Sequence, residues 1–406
     1  MPGSSPGADG CDDASSALPP SQVVTSPLGR YPCGVSTVSP LARAGLVSSI
    51  VSAGVLLGSC RPCSDELQLE VVADPLGPWR ADPSEAFARN IWDLQAWDGR
   101  IYMGYGDAVV NTGPTKVFAY DPVSGKVVHE TTVDEEAIFS YRVFGERLYM
   151  PGVDAVGLPD GALYVRDADG WTALHLDDVV HAFDVAVLPD RTCVVVQDTQ
   201  DVLFGGAVLC SGDGGASWDR YSTESWRARS FFDLGGRLFV SSLVSGVRRV
   251  DADRTTPVAF EIPGVGDNRD VVVTNAVNCG DDLAFIAQRH QGATAEVLGL
   301  FRATMDESED ITVTPVALDD VTRLFVVDDR CHAMTNHPLR CGRYQVTIYE
   351  SEDARAWSRR LSFVVPAFAR SAEVLDGQLY VGLGCERGSC DRTAGKLVRI
   401  RAWSTG

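Results

Sequence analysis

Two short apolar or aromatic runs joined by a tight polar turn recur seven times along this chain, and no other feature narrows its possible folds as far. The copies are DLQAWDGRIYMGYG from Asp93, SYRVFGERLYMPG from Ser140, DVAVLPDRTCVVV from Asp184, SFFDLGGRLFVSS from Ser230, NAVNCGDDLAFIA from Asn275, RLFVVDDRCHAMT from Arg323 and SAEVLDGQLYVGL from Ser371. Their turns begin at Asp98, Gly145, Pro189, Gly235, Gly280, Asp328 and Asp376, spaced 44 to 48 residues apart. Apolar runs of this length punctuated by Gly, Asp or Pro read as hairpins of β-strands. Each unit has room for a third run, as in KVFAYD, ALYVRD or KLVRIR, and usually a fourth. Units of four strands at this period close radially, because a ring leaves only short, protected sheet edges. The expectation is an all-β, seven-bladed β-propeller of four-stranded antiparallel blades, forming one domain over residues 60–406. The last unit runs out after KLVRIRAW, so the segment LQLEVVAD from Leu67 is expected to add its fourth strand and close the ring.

The chain ahead of the repeats has a different character. Residues 1–40 are rich in Ser, Pro and Gly and cannot bury enough apolar surface to offset their ordering entropy, so disorder is expected. Arg43 then precedes an apolar run from Ala44 to Leu57, too short for the roughly 20 residues a membrane-spanning helix needs. Its length suits the apolar part of an export signal. The following Leu57-Gly58-Ser59-Cys60 resembles a bacterial lipobox. That resemblance implies cleavage before Cys60, lipidation of its thiol and attachment to a membrane of the bacterial cell envelope. Residues 1–59 would then be a disordered extension plus signal; a translation start placed too early accounts for the extra length. The competing reading is a buried apolar helix or strand.

Cysteine usage agrees with export. Two of the eleven cysteines, Cys11 and Cys33, fall in the leader and Cys60 would carry lipid, leaving an even eight for an oxidising compartment. Local spacing suggests Cys193 with Cys210, Cys331 with Cys341 and Cys385 with Cys390, with Cys63 and Cys279 left over. Cys60-x-x-Cys63 matches half of a redox or zinc motif, but no second half follows. With 55 acidic against 35 basic side chains, a net charge of −20 and no basic run, the chain lacks the surface that nucleic-acid binding requires.

In the third unit, Ser211-Gly212-Asp213-Gly214-Gly215-Ala216-Ser217-Trp218 resembles the Asp-box of BNR-type propellers, a family that includes sialidases; Ser351-Glu352-Asp353-Ala354-Arg355-Ala356-Trp357 is a degenerate copy in the sixth. The resemblance implies hairpin turns between third and fourth strands, where Asp accepts backbone N–H groups, Gly supplies positive φ and Trp packs into the blade. It also implies a ligand site at the axis on the opposite face, built by loops entering first strands and leaving second strands. Sialidase chemistry is not carried over, because no Tyr–Glu nucleophile pair and no Phe-Arg-Ile-Pro segment can be placed.

Aligning the seven hairpins puts Asp93, Ser140, Asp184, Ser230, Asn275, Arg323 and Ser371 at one position near the axis, all polar. They would line the channel or bond neighbouring blades and structured water. On the expected site face, units one to three bring Asp107, Asn111, Asp134, Glu135, Glu136, Asp154, His181, Asp184 and Asp198, nearly all acidic. Units four to seven bring Arg227, Arg229, Arg269, Arg289, His290, Arg323, His337 and Arg370, nearly all basic. Such a dipolar mouth suits a polar ligand, a carbohydrate or a protein, with carboxylate or phosphate recognition on the basic side. Trp92 and Trp226 precede first strands and are candidates for stacking. Asp134-Glu135-Glu136 beside Asp107 and Asp154 offers oxygens for Ca²⁺, against a plain solvated acidic loop; no other cofactor or metal is indicated. A carboxylate pair from this set, or His181 oriented by Asp184, could instead serve a glycoside hydrolase. The expected role is an exported, lipid-anchored binding or scaffolding propeller, with the hydrolase as alternative.

Overall fold

The computed structural model describes residues 69–76, 89–106, 113–155, 161–199, 205–266, 269–291, 294–386, 392–401 and 403. Seven antiparallel sheets follow one another in a ring. Blade 1 comprises Asp93–Trp97, Arg100–Gly104, Thr115–Asp121 and Lys126–Val133, and blade 2 comprises Arg142–Phe144, Arg147–Pro151, Gly161–Asp167 and Gly170–Leu176. Blade 3 is Val179–Val187, Thr192–Asp198, Gly206–Ser211 and Asp219–Ser225; blade 4 is Arg227–Leu234, Arg237–Leu243, Gly246–Val250 and Thr255–Pro257. Blade 5 is Val271–Cys279, Asp282–Gln291, Thr294–Met305 and Ile311–Val316; blade 6 is Val321–Val327, Arg330–Pro338, Tyr344–Ser351 and Ser358–Val365. Blade 7 takes Phe368–Leu375, Gln378–Gly384 and Leu397–Ile400, and its outer strand is the N-terminal Leu69–Ala73. That closing strand pairs Leu69 with Ile400 and Val71 with Val398, and Glu70 accepts from Arg399 at 2.7 Å and Arg401 at 2.8 Å.

The hairpin turns follow from their residues. Asp98 and Gly99 both take positive φ (48° and 69°), the conformation whose twist matches paired strands. Asp328-Asp329 adopts the same geometry at 50° and 59° without a glycine, which aspartate tolerates better than most residues. Alternation in each blade sends apolar side chains to both sheet faces, and each face packs on the next blade. The core is accordingly divided into seven apolar clusters, one at every junction. Phe239, Phe285 and Phe301 between blades 4 and 5 are examples, at 5% exposure or less. Burying each such ring stabilises by about 1.5–3 kcal/mol.

Two disulfides are described. Cys193–Cys210 joins directly opposed residues of the second and third strands of blade 3, with Cα atoms 4.1 Å apart. Cys279–Cys331 ties the first strand of blade 5 to the second strand of blade 6. This corrects the pairing of Cys331 with Cys341. Cys331 opposes Ser351, while Cys341 lies in a 3₁₀ turn at the other end of the nine-residue strand Arg330–Pro338, more than about 20 Å along an extended chain and beyond disulfide reach. Cys279 is therefore not left over for Cys63. Cys385 is also disulfide-bonded, whereas its expected partner Cys390, like Cys60, Cys63, Asp107, Asn111 and the leader, lies outside the described residues.

Candidate ligand-binding face

The aligned polar position turns out to be the fastening between blades. Asp93 accepts the Tyr141 N–H at 2.7 Å, Ser140 donates to the Phe183 carbonyl at 3.5 Å, and Asp184 accepts the Phe231 N–H at 2.9 Å. Ser230 donates to the Val273 carbonyl and Ser371 to the Ile91 carbonyl, the latter at 2.8 Å. Arg323 donates back to Asn275 at 3.0 Å and across the ring to Asp93. Asn336 serves the junction of blades 6 and 7, bonding both the N–H and the carbonyl of Ala369 at 3.0 Å. Inner strands converge on the axis, so a short polar side chain there reaches its neighbour's backbone and satisfies groups that no ladder bond covers. Asp93, Asp184, Asn275 and Arg323 are thus engaged within the ring.

The same residues meet others along the axis. Arg142 forms a two-bond pair with Asp184, Nε to Oδ1 at 2.9 Å and Nη2 to Oδ2 at 3.1 Å, yet 36% of its side chain stays accessible to water. One end of this cation is therefore open to solvent while its carboxylate partner is buried. Glu373 shares this region, bonded by Gln95 at 3.4 Å. Burial pushes its carboxyl up to about 7 against the pull of backbone N–H donors and Arg323.

Over blades 1–3, small pairings stitch the loops together. Gly106 bridges Ala137, Glu135–Ala137 pairs with Val153–Ala155, and Val153 pairs with His181. The stitching encloses Glu135 (1% exposed) and Glu136 (4%), leaving Asp134 exposed and Asp154 partly so. Burial pushes the Glu135 carboxyl up to about 8, offset by a hydrogen bond from the Tyr164 hydroxyl at 3.3 Å. A second tyrosine–glutamate contact, Tyr344 to Glu386 at 2.6 Å, lies over blades 6 and 7. Burial raises both phenols, Tyr344 to about 12. Among the described residues no group of three or more His, Cys, Asp or Glu side chains is placed to hold a metal ion.

Blades 3–5 bring the basic residues together. In the first strand of blade 3 a bulge leaves Phe183 as an extra residue, and a second bulge in blade 4 does the same for Arg229. A bulge breaks alternation and re-aims the side chain it adds. The Phe183 ring lies 4.8 Å from the Arg229 guanidinium, 5.3 Å from that of Arg227 and 5.4 Å from the His181 ring. Arg227 also stacks over Trp226, 45% exposed, at 4.7 Å. Its Nε donates to the neutral Gln197 at 2.6 Å. The Arg229 Nε is buried with no acceptor. Asp154 stands nearby, its Oδ1 3.9 Å from His181 Nδ1. Burial, reinforced by Arg227, brings Arg229 down to about 9. Burial followed by the two arginines brings His181 and His290 down to about 4.

Arg370 is differently placed. It lies over the rings of Trp92 (4.9 Å) and Phe368 (4.7 Å) and donates to Asn90 at 2.9 Å and the Cys385 carbonyl at 2.6 Å. One face of Trp92 is thereby covered, and its ring also meets Phe139 edge-on at 5.8 Å. A groove of about 590 Å³ beside the Ser211–Trp218 turn, lined by residues including Leu174, His175 and Arg220, holds none of the expected site residues.

Ring, junctions and axial fastenings define the chain as a seven-bladed β-propeller. No family model matches it, and no curated protein does. Among solved structures it is similar to a chain of the mitotic checkpoint complex (TM-score 0.49, 12% identity, covering 90% of this chain and 99% of that one). It is also similar to the computationally designed Ika8 protein (TM-score 0.47, 9% identity, 78% and 97%) and to an ancestral GH74 enzyme (TM-score 0.46, 10% identity, 72% and 43%).

Proposed function

We propose that the protein is an exported, lipid-anchored propeller of the bacterial cell envelope that binds a carbohydrate or protein ligand through its axial face, at the sector of blades 3–5. The observation that carries this reading is the pair Arg227 and Arg229. Both are partly buried against aromatic rings, and neither makes an ion pair among the described residues. Asp154 offsets part of the charge on Arg227, but Arg229 is held down by burial and by Arg227 alone, and cations withdrawn from water cost stability that a ligand's acidic group offsets. The exposed face of Trp226 beside them suits stacking on a sugar or packing on a partner side chain. Two disulfides support passage through an oxidising compartment, and the lipobox-like segment ending at Cys60 supports the anchor, with residues 1–59 as the leader. Ser211–Trp218 fits an Asp-box: Asp213 accepts the Ser217 N–H at 2.9 Å and its hydroxyl at 2.7 Å, and the Ser211 hydroxyl donates to Asp213 at 2.8 Å. Glycoside hydrolysis by blades 1–3 is the weaker reading, because Glu135, Glu136 and Asp184 are enclosed.

Reversing Arg227 and Arg229 to glutamate together is expected to weaken binding of a ligand recovered from a glycan array or an envelope extract by at least about tenfold, the worth of one or two lost charge-assisted bonds. Unchanged affinity in direct titration refutes this sector. Cys60→Ala is expected to abolish incorporation of a labelled fatty acid during growth; labelling that persists in the variant refutes the anchor.

A further inference from the structure

We propose that Arg227, Arg229 and His181 form an oxyanion pocket, with His290 in the same field, that takes up a proton together with its ligand, a carboxylate, sulfate or phosphate group on whichever molecule the face binds. This rests on the reading of blades 3–5 as the ligand sector and names the chemistry recognised there.

Three basic groups from two blades converge on the single ring of Phe183, within 4.8 to 5.4 Å of its centroid. His290 stands near the end of the second strand of blade 5, opposite Ala295, with its backbone N–H bonded to the Asp270 carbonyl at 2.7 Å. Its position is felt electrostatically by both arginines' fields. The charged groups acting on this cluster are Asp154 from blade 2 and the two arginines from blade 4; beside His290 on blade 5, Arg289 pairs with Glu296 at 3.6 Å and the Asp270 carbonyl accepts the His290 N–H. Blade 3 contributes the neutral Gln197. Two arginines therefore face one partly exposed carboxylate, and the excess positive charge is left for a ligand to balance.

The histidines decide how the pocket responds to pH. Both are neutral near pH 7, because burial and the two guanidinium groups oppose a further positive charge. An oxyanion seated among the arginines cancels that repulsion and gives an imidazolium a partner. The histidine pKa in the complex then lies above its value of about 4 in the free protein. By linkage, the additional affinity is present below the pKa of the complex and is lost as pH rises through it.

Sulfate is the suitable probe, since it keeps its double negative charge from pH 5 to 8 and any pH dependence belongs to the protein. Calorimetric titration of the full chain is expected to show sulfate binding about tenfold tighter at pH 5.5 than at pH 7.5, as follows for one group whose pKa in the complex is about 6.5, with proton uptake averaging about half a proton over the interval. Titrations at pH 6 in two buffers of different ionisation enthalpy give the proton number without any substitution. The double variant His181→Gln plus His290→Gln is expected to remove the slope, so that its affinities at pH 5.5 and 7.5 are equal, and Asp154→Asn is expected to keep the slope. Equal affinity at both pH values, absence of proton uptake, or a slope that follows Asp154 instead of the histidines overturns the proposal. So does absence of sulfate binding at both pH values. In that event a neutral ligand still weakened by the Arg227 and Arg229 reversal leaves the axial-face reading standing, whereas insensitivity of every ligand to the reversal removes both.

Discussion

Asp184→Ala is expected to lower the unfolding free energy by about 3 kcal/mol, near the lower end of the range for breaking a buried ion pair. The carboxylate is 2% exposed and accepts four bonds: two from Arg142, one from the Phe231 N–H at 2.9 Å and one from the Val185 N–H at 3.0 Å. Alanine leaves the guanidinium without its partner and the blade 4 N–H without an acceptor. The lower end applies because 36% of the Arg142 side chain is accessible to solvent, which can solvate part of the stranded charge. Asp184→Asn, which keeps the shape and some acceptors but not the charge, is expected to fall between the two. Adding Arg142→Met to Asp184→Ala is expected to recover part of the loss, because an apolar side chain leaves no charge to desolvate. Urea titrations of the four proteins check this cycle; a loss below about 1 kcal/mol for Asp184→Ala shows that water replaces the carboxylate there.

The sevenfold fold was legible because strand alternation and turn chemistry are local properties, and both repeat along the chain. The closing strand was legible for a similar reason: a final unit one strand short and a spare apolar run at the other end leave one economical pairing. The polar ring was visible as an aligned position, and of its two readings, channel lining and inter-blade bonding, the hydrogen bonds show the second. Which side chain meets which backbone is set by radial neighbours some 43 to 48 residues apart, as for Ser140 with Phe183 and Asp93 with Tyr141, and no local pattern encodes that. Cys331 was misassigned on the same account, since sequence proximity favoured Cys341 over a residue on the adjacent blade.

The site was less legible because it depends on departures from regularity. Strict alternation gives no reason for Phe183 and Arg229 to share a location; the two bulges that bring them together have no composition signal here. Phe183 was passed over as one of the apolar neighbours of Asp184, and Gln197 and Glu373 were not singled out at all. In the other direction, Asp134-Glu135-Glu136 reads as an open acidic run, but the three-residue strand Glu135–Ala137 is pinned against Val153–Ala155 and buries two of its carboxyls. One short pairing changes a solvated loop into an enclosed acid.

That enclosed acid sets the second large expectation. Stability is expected to decline by on the order of 2–3 kcal/mol between pH 6 and pH 8 through Glu135 alone, at about 1.4 kcal/mol per pH unit across the titrating interval. Burial is the main cause that holds its carboxyl up to about 8 in the folded protein, with Asp134, Asp154 and Glu136 adding to it and Tyr164 opposing. In the unfolded chain the group titrates at an ordinary glutamate value, about 4.3. Since the folded value is the higher one, the stabilising contribution is complete below the unfolded value and is lost as pH rises through the folded one. Glu373, held up to about 7 by its own burial, acts in the same direction over a narrower interval. His181 and His290 act on the acid side: their folded values near 4 lie below the ordinary histidine value, so the unfolded chain protonates first and stability falls as pH drops from about 6.5. The two limbs cancel over the interval between them, so the protein is expected to be most stable at about pH 5–6. Glu135→Gln retains an acceptor for the Tyr164 hydroxyl without an ionisable group, so it flattens most of the alkaline limb and raises the denaturation midpoint at pH 8.5 relative to the unaltered protein. Denaturant midpoints at half-unit steps from pH 5 to 9 measure both limbs. A native curve that is flat from pH 6 to 8.5, or a Glu135→Gln curve of unchanged slope, means that Glu135 ionises in contact with water and is not sealed by the strands around it.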